Sequence, residues 1–279
     1  MFYQTWVWKE QTEPFTPKGP NLSRLKRHKL KLDGSIIEIR CPRHNDPDTS
    51  PKVLKGNLAL NAESILPKDS YGDNWKYLHP VTQEWQFYGP LGTGMAAGVT
   101  LQLHLLTYTK HKKGVSYFNP RAFEFAITQF LTESFGNWEK RLGNDTQCYF
   151  APLNWQVLEG FDVPAARFDM DISNETINTH FLMFPVSPDF LAMAKIEISR
   201  VPNTQWKRYP KLDDFVRPDE IFALRDLVLD NITLTLSPEA QAQQKAALEG
   251  LDDTELVKSF PPIQWLPLDD EGKKKLLLT

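Results

Sequence analysis

Residues 119–143 carry the clearest hydrophobic pattern in the chain, that of a complete amphipathic helix. Apolar side chains recur at helical spacing at Phe123, Ala126, Ile127, Phe130, Leu131 and Trp138. Asn119 can cap the first turn, Pro120 suits the first helical position, and Gly143 fits the left-handed residue that ends a helix. The pattern predicts a single helix of about six turns.

Strand-like sequence lies on both sides of this helix. The predicted strands cover residues 35–40, 53–54, 58–60, 85–88 and 99–109 before it, and residues 148–150, 155–158, 166–172, 181–186 and 191–201 after it. Proline, glycine, asparagine and aspartate separate these runs, as they do in the segment 42–51. Short strands at such spacing predict an antiparallel meander.

Shorter helices are predicted near the C-terminus. Pro218 opens one of them, which leads into a strand over residues 232–236. Pro238 opens the next, which Gly250 stops, and the tail from Phe260 is expected to pack along the outside in extended form or to be partly disordered. Together these elements predict an α+β fold, an antiparallel β-sheet meander packed on one long amphipathic helix, with shorter C-terminal helices.

A run of basic residues comes before the first predicted strand. Six Lys or Arg side chains and His28 lie between residues 18 and 31, and no acidic residue occurs from residue 18 until Asp33. Such a run is either a solvated edge, which is the commoner case, or a basic arm for an acidic partner. The predicted organisation is an N-terminal basic arm over residues 1–32, an α+β core domain over 33–237, and a C-terminal helix and tail over 238–279.

Composition narrows the class of function. The 32 basic and 35 acidic residues give a net charge of −3, which offers no global field to attract nucleic acid. Cys41 and Cys148 are too few for a disulfide framework and are typical of a reducing compartment. No apolar run approaches the roughly 20 residues of a membrane span. We therefore expect a cytoplasmic protein that binds no nucleic acid, has no membrane span and needs no cofactor.

Two motifs with a superficial chemical meaning are discounted. The glycine-rich segment 89–98 is followed by alternating strand sequence, whereas a phosphate-binding loop needs a helix N-terminus after it, so a hairpin or bulge is predicted. Cys41, His44 and Asp46 lie at metal-ligand spacing, but structural zinc needs four ligands and no second pair follows. A loop with one buried thiol is the expected structure.

Alternate carboxylates mark the residues that could carry catalysis. Asp169 and Asp171 lie on one face of a predicted strand, and a calcium loop with this opening would need glycine and glutamate where the chain has Asn174 and His180. A solvent-facing strand end is the expected structure. The alternative is a hydrolase that uses Asp169 or Asp171 with His180, if these groups converge in one pocket.

The order of elements from residue 33 to residue 237 resembles that of the PsbP-like and DcrB-like α+β group. The resemblance is carried best by the end of this span, where strands 181–186 and 191–201 lead into a helix over 218–230 and a strand over 232–236. Bacterial members include small chaperones that hold secretion-system effectors, which implies binding without catalysis. A looser resemblance, in aromatic content and lack of motifs, is to bacterial immunity proteins encoded beside secreted toxins.

The leading prediction is a non-enzymatic protein that binds another protein, either a toxin or a secreted effector, through an aromatic surface. The candidate contact residues lie in turn-rich segments and are of the types that dominate interfaces, Trp75, Tyr77, Trp85, Tyr88, Trp206, Arg208 and Tyr209. Ordinary packing under loops is the competing interpretation of these side chains. A small-ligand binder with an apolar pocket under the glycine-rich segment 89–98 is the third class. The identity of the partner and the oligomeric state are left open.

Overall fold

The computed structural model of the chain describes residues 13–60, 70–90, 94–136, 147–172, 177–200, 212–266 and 270. Its strands are β1 (Leu25–Leu32), β2 (Ser35–Pro42), β3 (Lys52–Val53), β4 (Asn57–Leu58), β5 (Ser70–Tyr71), β6 (Trp75–Tyr88), β7 (Met95–Tyr108), β8 (Tyr149–Val157), β9 (Ala166–Ile172), β10 (Ile177–Ser187), β11 (Phe190–Arg200) and β12 (Ile232–Thr235). Its helices are α1 (Pro120–Phe135), α2 (Leu212–Phe215), α3 (Asp219–Asp230) and α4 (Pro238–Leu248).

The larger sheet is antiparallel and runs in the order β3-β6-β7-β11-β10-β9-β8, with β5 paired to β6. Its centre is the long β6–β7 hairpin, and β11 pairs with β7 from Phe190↔Thr107 to Arg200↔Ala97. The hairpin connection, residues 89–94, is the first part of the glycine-rich segment, and Gly89 N–H donates to the carbonyl of Gly94 at 3.0 Å. A hairpin is the structure predicted for this segment.

The smaller sheet has the order β12-β2-β1-β4. β1 and β2 pair along their whole length through a two-residue turn, Asp33 and Gly34, both with positive φ, which is the geometry of a tight hairpin. β12 pairs with β2, and β4 joins β1 in parallel at Lys31 and Leu32. The basic residues 25–32 are therefore a sheet strand, and the predicted domain boundary at residue 32 falls in a hairpin turn.

The two faces of the larger sheet are both buried. Consecutive residues of β10 show this, since Leu182 and Phe184 pack between the two sheets together with α3, whereas Phe181 and Met183 pack on the opposite face with α1. The inter-sheet cluster also holds Trp85 of β6. The main core therefore lies between two sheets.

The predicted architecture, a meander organised on one long helix, is wrong. Strands make up 43% of the described residues and helices 20%, and the chain forms two large sheets with short helices. Helix α1 has 16 residues and ends at Phe135, with Gly136 as its C-cap, whereas the sequence pattern predicted a helix to Gly143. The rest of that pattern, residues 137–146, lies outside the described residues. The second sheet was missed because its first strand was interpreted as a basic arm.

The C-terminal segment up to Leu266 packs in extended form across α1 and β8. Trp155 Nε1–H donates to the Val257 carbonyl at 2.8 Å, and Trp265 Nε1–H donates to Thr132 Oγ1 at 3.2 Å. Gly136 permits the close approach, since a Cβ there would lie 2.6 Å from the Trp265 ring. No helix among the described residues is long and apolar enough to cross a membrane.

Glu124 is the main polar link between α1 and this segment. Its buried carboxylate accepts the Val257 N–H at 2.7 Å and an Arg121 Nη1–H at 2.8 Å. We expect Glu124→Ala to lower the free energy of unfolding by about 2 kcal/mol, because it leaves the half-buried Val257 N–H and the Arg121 Nη1–H without their acceptor. Urea unfolding measures this loss. The exposed Glu249→Ala is the control, and an equal loss in both variants would contradict this role of Glu124.

Candidate partner-binding site

The structure separates the aromatic residues that were predicted to contact a partner. Trp75 and Trp85 are fully buried, so for them the prediction is wrong, because core side chains cannot reach a partner. Tyr77 is half-buried and its ring lies 4.9 Å from that of His104. Tyr88 is 39% exposed. The remaining three candidates, Trp206, Arg208 and Tyr209, lie outside the described residues.

Trp85 instead fixes the start of the loop that follows β2. Its indole Nε1–H donates to the carbonyls of Pro42 and Arg43, at 3.3 and 3.1 Å. A buried indole needs a hydrogen-bond acceptor, and the loop backbone supplies it. The backbone position of Arg43 is therefore set by the core.

His44 and Asn45 attach the same loop to the edge of β6. Glu84 N–H donates to His44 Nδ1 at 3.0 Å, so the other ring nitrogen carries the proton and donates to the Asp46 carbonyl at 3.0 Å. Asn45 Oδ1 accepts the Gln86 N–H at 2.8 Å, and Asn45 Nδ2–H donates to the Gln86 carbonyl at 3.2 Å. These contacts make His44 a structural residue of the loop.

A cavity of about 540 Å³ lies between the two sheets, beside the first half of β1. Five cationic residues line it, Lys26, Arg27, Lys29, Arg43 and Lys55. Its inner wall includes His28 of β1 and Gln83 of β6. The volume is within the range of roughly 300–1,000 Å³ typical of ligand sites. We call this feature the cationic cavity.

Two buried polar groups in the cationic cavity have no hydrogen-bond partner. Gln83 is 1% exposed and His28 is 9% exposed, yet Gln83 Nε2 and His28 Nε2 contact no acceptor or donor among the described residues. Buried polar groups are normally paired, and leaving one unpaired costs about 1–3 kcal/mol. Burial and the nearby charge of Lys26 lower the pKa of His28, so its ring is neutral at pH 7 and can donate one hydrogen bond.

The positive charge around the cationic cavity is only partly compensated. Glu38 forms ion pairs with Arg27, with Lys29 at 4.0 Å and with Arg40 at 2.9 Å on the outer face of the smaller sheet. Lys26, Arg43 and Lys55 have no ion-pair partner in the described part of the chain. The site therefore combines excess positive charge with unused buried polar groups, a combination suited to a bound oxyanion.

The candidate catalytic residues form a different cluster. Asp169 and His180 are directly opposite each other on β9 and β10, and Asp169 Oδ1 lies 2.6 Å from His180 Nδ1. Asn154, in the left-handed region with φ 51°, donates to Asp169 Oδ2 at 2.8 Å. Burial alone would raise the pKa of Asp169, but the contacts with His180 and Asn154 and the charge of Arg225 hold it below its usual value.

This cluster does not have the form of an accessible catalytic site. The remaining ring nitrogen, His180 Nε2, is buried without a hydrogen-bond partner in the described ranges, and the Phe222 ring of α3 lies 6.4 Å from the imidazole. Asp171 lies two residues along β9, opposite Asn178, while Asp169 alone contacts the imidazole. A general base must reach its substrate proton within hydrogen-bond distance, and here the imidazole is shielded. The pair ties β9 to β10 under α3.

The described residues do not support either of two other sites that the sequence suggested, a metal site near Cys41 and a ligand pocket under the glycine-rich segment. No group of three or more His, Cys, Asp or Glu side chains there could hold a metal ion. Cys41 is fully buried, and burial raises the pKa of its thiol to about 12. A larger groove of about 820 Å³ lies beside the β8–β9 turn and α4, and neither it nor the cationic cavity is lined by the glycine-rich segment 89–98.

Comparison of the chain with known protein families, with curated proteins and with solved structures finds no match. Kinship with the PsbP-like and DcrB-like group or with immunity proteins therefore stays a prediction.

The residues of the cationic cavity were largely missed from sequence. Lys26, Arg27 and Lys29 belong to the basic run that was noticed, but the run shows neither a cavity nor its inner wall. Nothing in the sequence marked Gln83 as a site residue, because a glutamine in a strand is most often exposed to solvent. Its burial depends on the packing of the smaller sheet, with β1, against β6, and its Nε2 has no hydrogen-bond partner among the described residues.

Proposed function

We propose that the protein is a non-enzymatic binding protein that holds an acidic segment of another protein at the cationic cavity. The observation that carries this proposal is a pair of buried groups, Gln83 Nε2 and His28 Nε2, that have no hydrogen-bond partner among the described residues. They lie in a cavity whose lining includes Lys26, Arg43 and Lys55, three cations without an ion-pair partner in that part of the chain. A carboxylate in the cavity would accept a hydrogen bond from the amide and gain charge attraction from the rim.

Several features favour a protein partner over nucleic acid. The cations converge on one cavity, whereas a nucleic acid backbone is followed by an extended track of positive charge. Glu38 lies among the outer cations and would repel a continuous row of phosphates. The chain as a whole is acidic, with a net charge of −3. A discrete carboxylate fits this pattern better.

The resemblances noted in the sequence suggest which class of partner this is. Toxins bound by immunity proteins and effectors held by chaperones are both protein partners, and both require binding without catalysis. The partner proposed for this chain is a protein of that kind with an exposed acidic segment. Tyr88 and Met95, which are 39% and 41% exposed at the end of the β6–β7 hairpin, add apolar contact surface beyond the loop.

The proposal can be tested with a fluorescein-labelled peptide that alternates glutamate and threonine over ten residues, with a glutamine–threonine peptide as the uncharged match. We expect the wild-type chain to bind the glutamate peptide in a salt-sensitive manner and not to bind the glutamine peptide. The triple variant Lys26→Glu, Arg43→Glu, Lys55→Glu should weaken binding by about a hundredfold, since each reversal replaces an attraction by a repulsion. Fluorescence anisotropy gives the dissociation constants.

The matched control is the triple variant Lys112→Glu, Lys113→Glu, Lys245→Glu, which makes the same charge change at exposed sites away from the cationic cavity. It should bind within about threefold of wild type, because exposed charges beyond a Debye length are screened. Equal weakening in both triple variants would show attraction by net charge alone and overturn the proposal. Tighter binding to a single-stranded RNA of ten nucleotides than to the glutamate peptide would also overturn it.

A further inference from the structure

Within the described residues, the edge of β1 beside the cationic cavity is largely without a strand partner. It pairs with β2 over all eight residues, but on its other side β4 reaches only Lys31 and Leu32. From Leu25 to Leu30 the described residues provide no strand partner on this edge, and no backbone hydrogen bond is made from these six residues to them on this side. Unpaired backbone groups on a sheet edge can accept an added strand.

The hairpin turn determines which backbone groups face this edge. A two-residue turn makes Leu32 and Ser35 a hydrogen-bonded pair, so the backbone of Leu32 points to β2. The direction alternates along a strand, and Asp33 N–H accordingly donates towards β4, to the Leu58 carbonyl at 3.1 Å. The N–H and C=O groups of Arg27 and Lys29 therefore point to this edge.

Cations on an edge strand are also a common protection against unwanted pairing between sheets. That explanation accounts for Arg27 and Lys29, because two basic edges repel each other. It does not account for Gln83 Nε2 and His28 Nε2, which are buried in the cavity along the same edge without a hydrogen-bond partner among the residues that the structure describes. A cationic edge also selects for an incoming strand of opposite charge.

We propose that the acidic partner binds by strand addition, as an extended segment that pairs with the backbone of Arg27 and Lys29 and places a carboxylate in the cationic cavity. This inference rests on the proposed function and specifies its binding mode. Alternate side chains of the added strand point to opposite faces. One set would enter the cavity towards Gln83, and the other would lie on the outer face beside Arg27, Lys29 and Glu38.

Backbone methylation of the glutamate–threonine peptide tests this mode with the wild-type protein. One peptide carries N-methyl groups at every glutamate amide, and a second carries them at every threonine amide. In an added strand only one set of alternate amides faces β1, so we expect one methylated peptide to lose about tenfold or more in affinity and the other to stay within about threefold. Equal affinities for the two methylated peptides would overturn strand addition.

Amide hydrogen exchange gives a second readout at the strand itself. Saturation with the unmethylated peptide should slow exchange at the Arg27 and Lys29 amides about tenfold or more, since they gain hydrogen bonds. The Lys26 and His28 amides already bond to β2 and should change little. Uniform protection, or none, at all four amides would overturn strand addition. If the acidic peptide fails to bind at all, the proposed function fails with it, whereas binding without this alternation removes only the strand-addition mode.

Discussion

Trp85→Ala should lower the free energy of unfolding by about 4 kcal/mol, the largest loss expected from a single substitution near the site. The side chain is fully buried in the inter-sheet core, so its removal leaves a cavity that the two sheets cannot close. The Pro42 and Arg43 carbonyls also lose their donor. Urea unfolding followed by circular dichroism measures the loss.

The control Trp85→Phe separates packing from hydrogen bonding. Phenylalanine keeps most of the apolar volume but cannot donate to the loop, so we expect a loss of about 1–2 kcal/mol. Arg43 would then lie on a less restrained loop, and affinity for the glutamate–threonine peptide should fall although the core is retained. A loss below about 1 kcal/mol for Trp85→Ala would contradict the role given to this side chain.

His104 should make the fold sensitive to mild acid. Burial, then the nearby His79, Lys195 and Lys52, lower the pKa of His104 to about 2. In the unfolded chain its pKa is about 6.5. Between these values the unfolded state binds a proton that the folded state does not, so stability is lost as the pH falls below about 6.5. From pH 6.5 to pH 5 the expected loss is about 2 kcal/mol.

Replacing His104 with phenylalanine should remove most of this pH dependence. The new ring can occupy the aromatic surroundings, where Tyr77 and Tyr71 lie 4.9 and 5.7 Å from the imidazole. The buried His28, whose pKa is also lowered, leaves part of the slope behind. His111→Phe makes the same substitution outside this cluster and is the matched control. Urea unfolding midpoints measured at several pH values give the dependence of stability on pH. An equal pH dependence in wild type and His104→Phe would contradict this role of His104.

Local sequence signals located many of the strands. Residues 166–172 were predicted and β9 spans Ala166–Ile172, and the prediction 191–201 differs from β11 (Phe190–Arg200) by one residue at each end. These strands are bounded by proline, glycine, asparagine or aspartate, which cannot continue a buried strand without cost. The start of α1 was also predicted correctly, because Asn119 is the N-cap and accepts the N–H groups of Arg121 and Ala122.

The order in which these strands pair could not be predicted from the sequence. β11 lies between β7 and β10, although more than eighty residues separate it from β7 along the chain, and no local pattern specifies that pairing. β1 did carry a strand signal, since His28, Leu30 and Leu32 are buried at alternate positions. The basic residues between these positions led to the interpretation of this segment as a basic arm and not as a strand. Missing β1 removed the second sheet and with it the inter-sheet core.

The candidate site depends on this long-range arrangement. A bulge between Leu78 and Val81 shifts the register of β6, and beyond it Gln83 shares the inward face with Val81 and Trp85. Only then does a glutamine side chain lie opposite the basic strand β1. Asp169 and His180 show the converse, because their opposition on adjacent strands brought them together while the imidazole is buried under α3, away from a substrate.

The signal of the Gln83 side-chain amide in an NMR titration with the glutamate–threonine peptide tests the central claim most directly. A Gln83→Met variant, which lacks this signal, assigns it. Binding at the cationic cavity predicts that the signal shifts and saturates with the dissociation constant obtained from anisotropy. If the peptide binds with that affinity while the Gln83 signal stays unchanged, the acidic partner binds elsewhere, and the function proposed for the cationic cavity is contradicted.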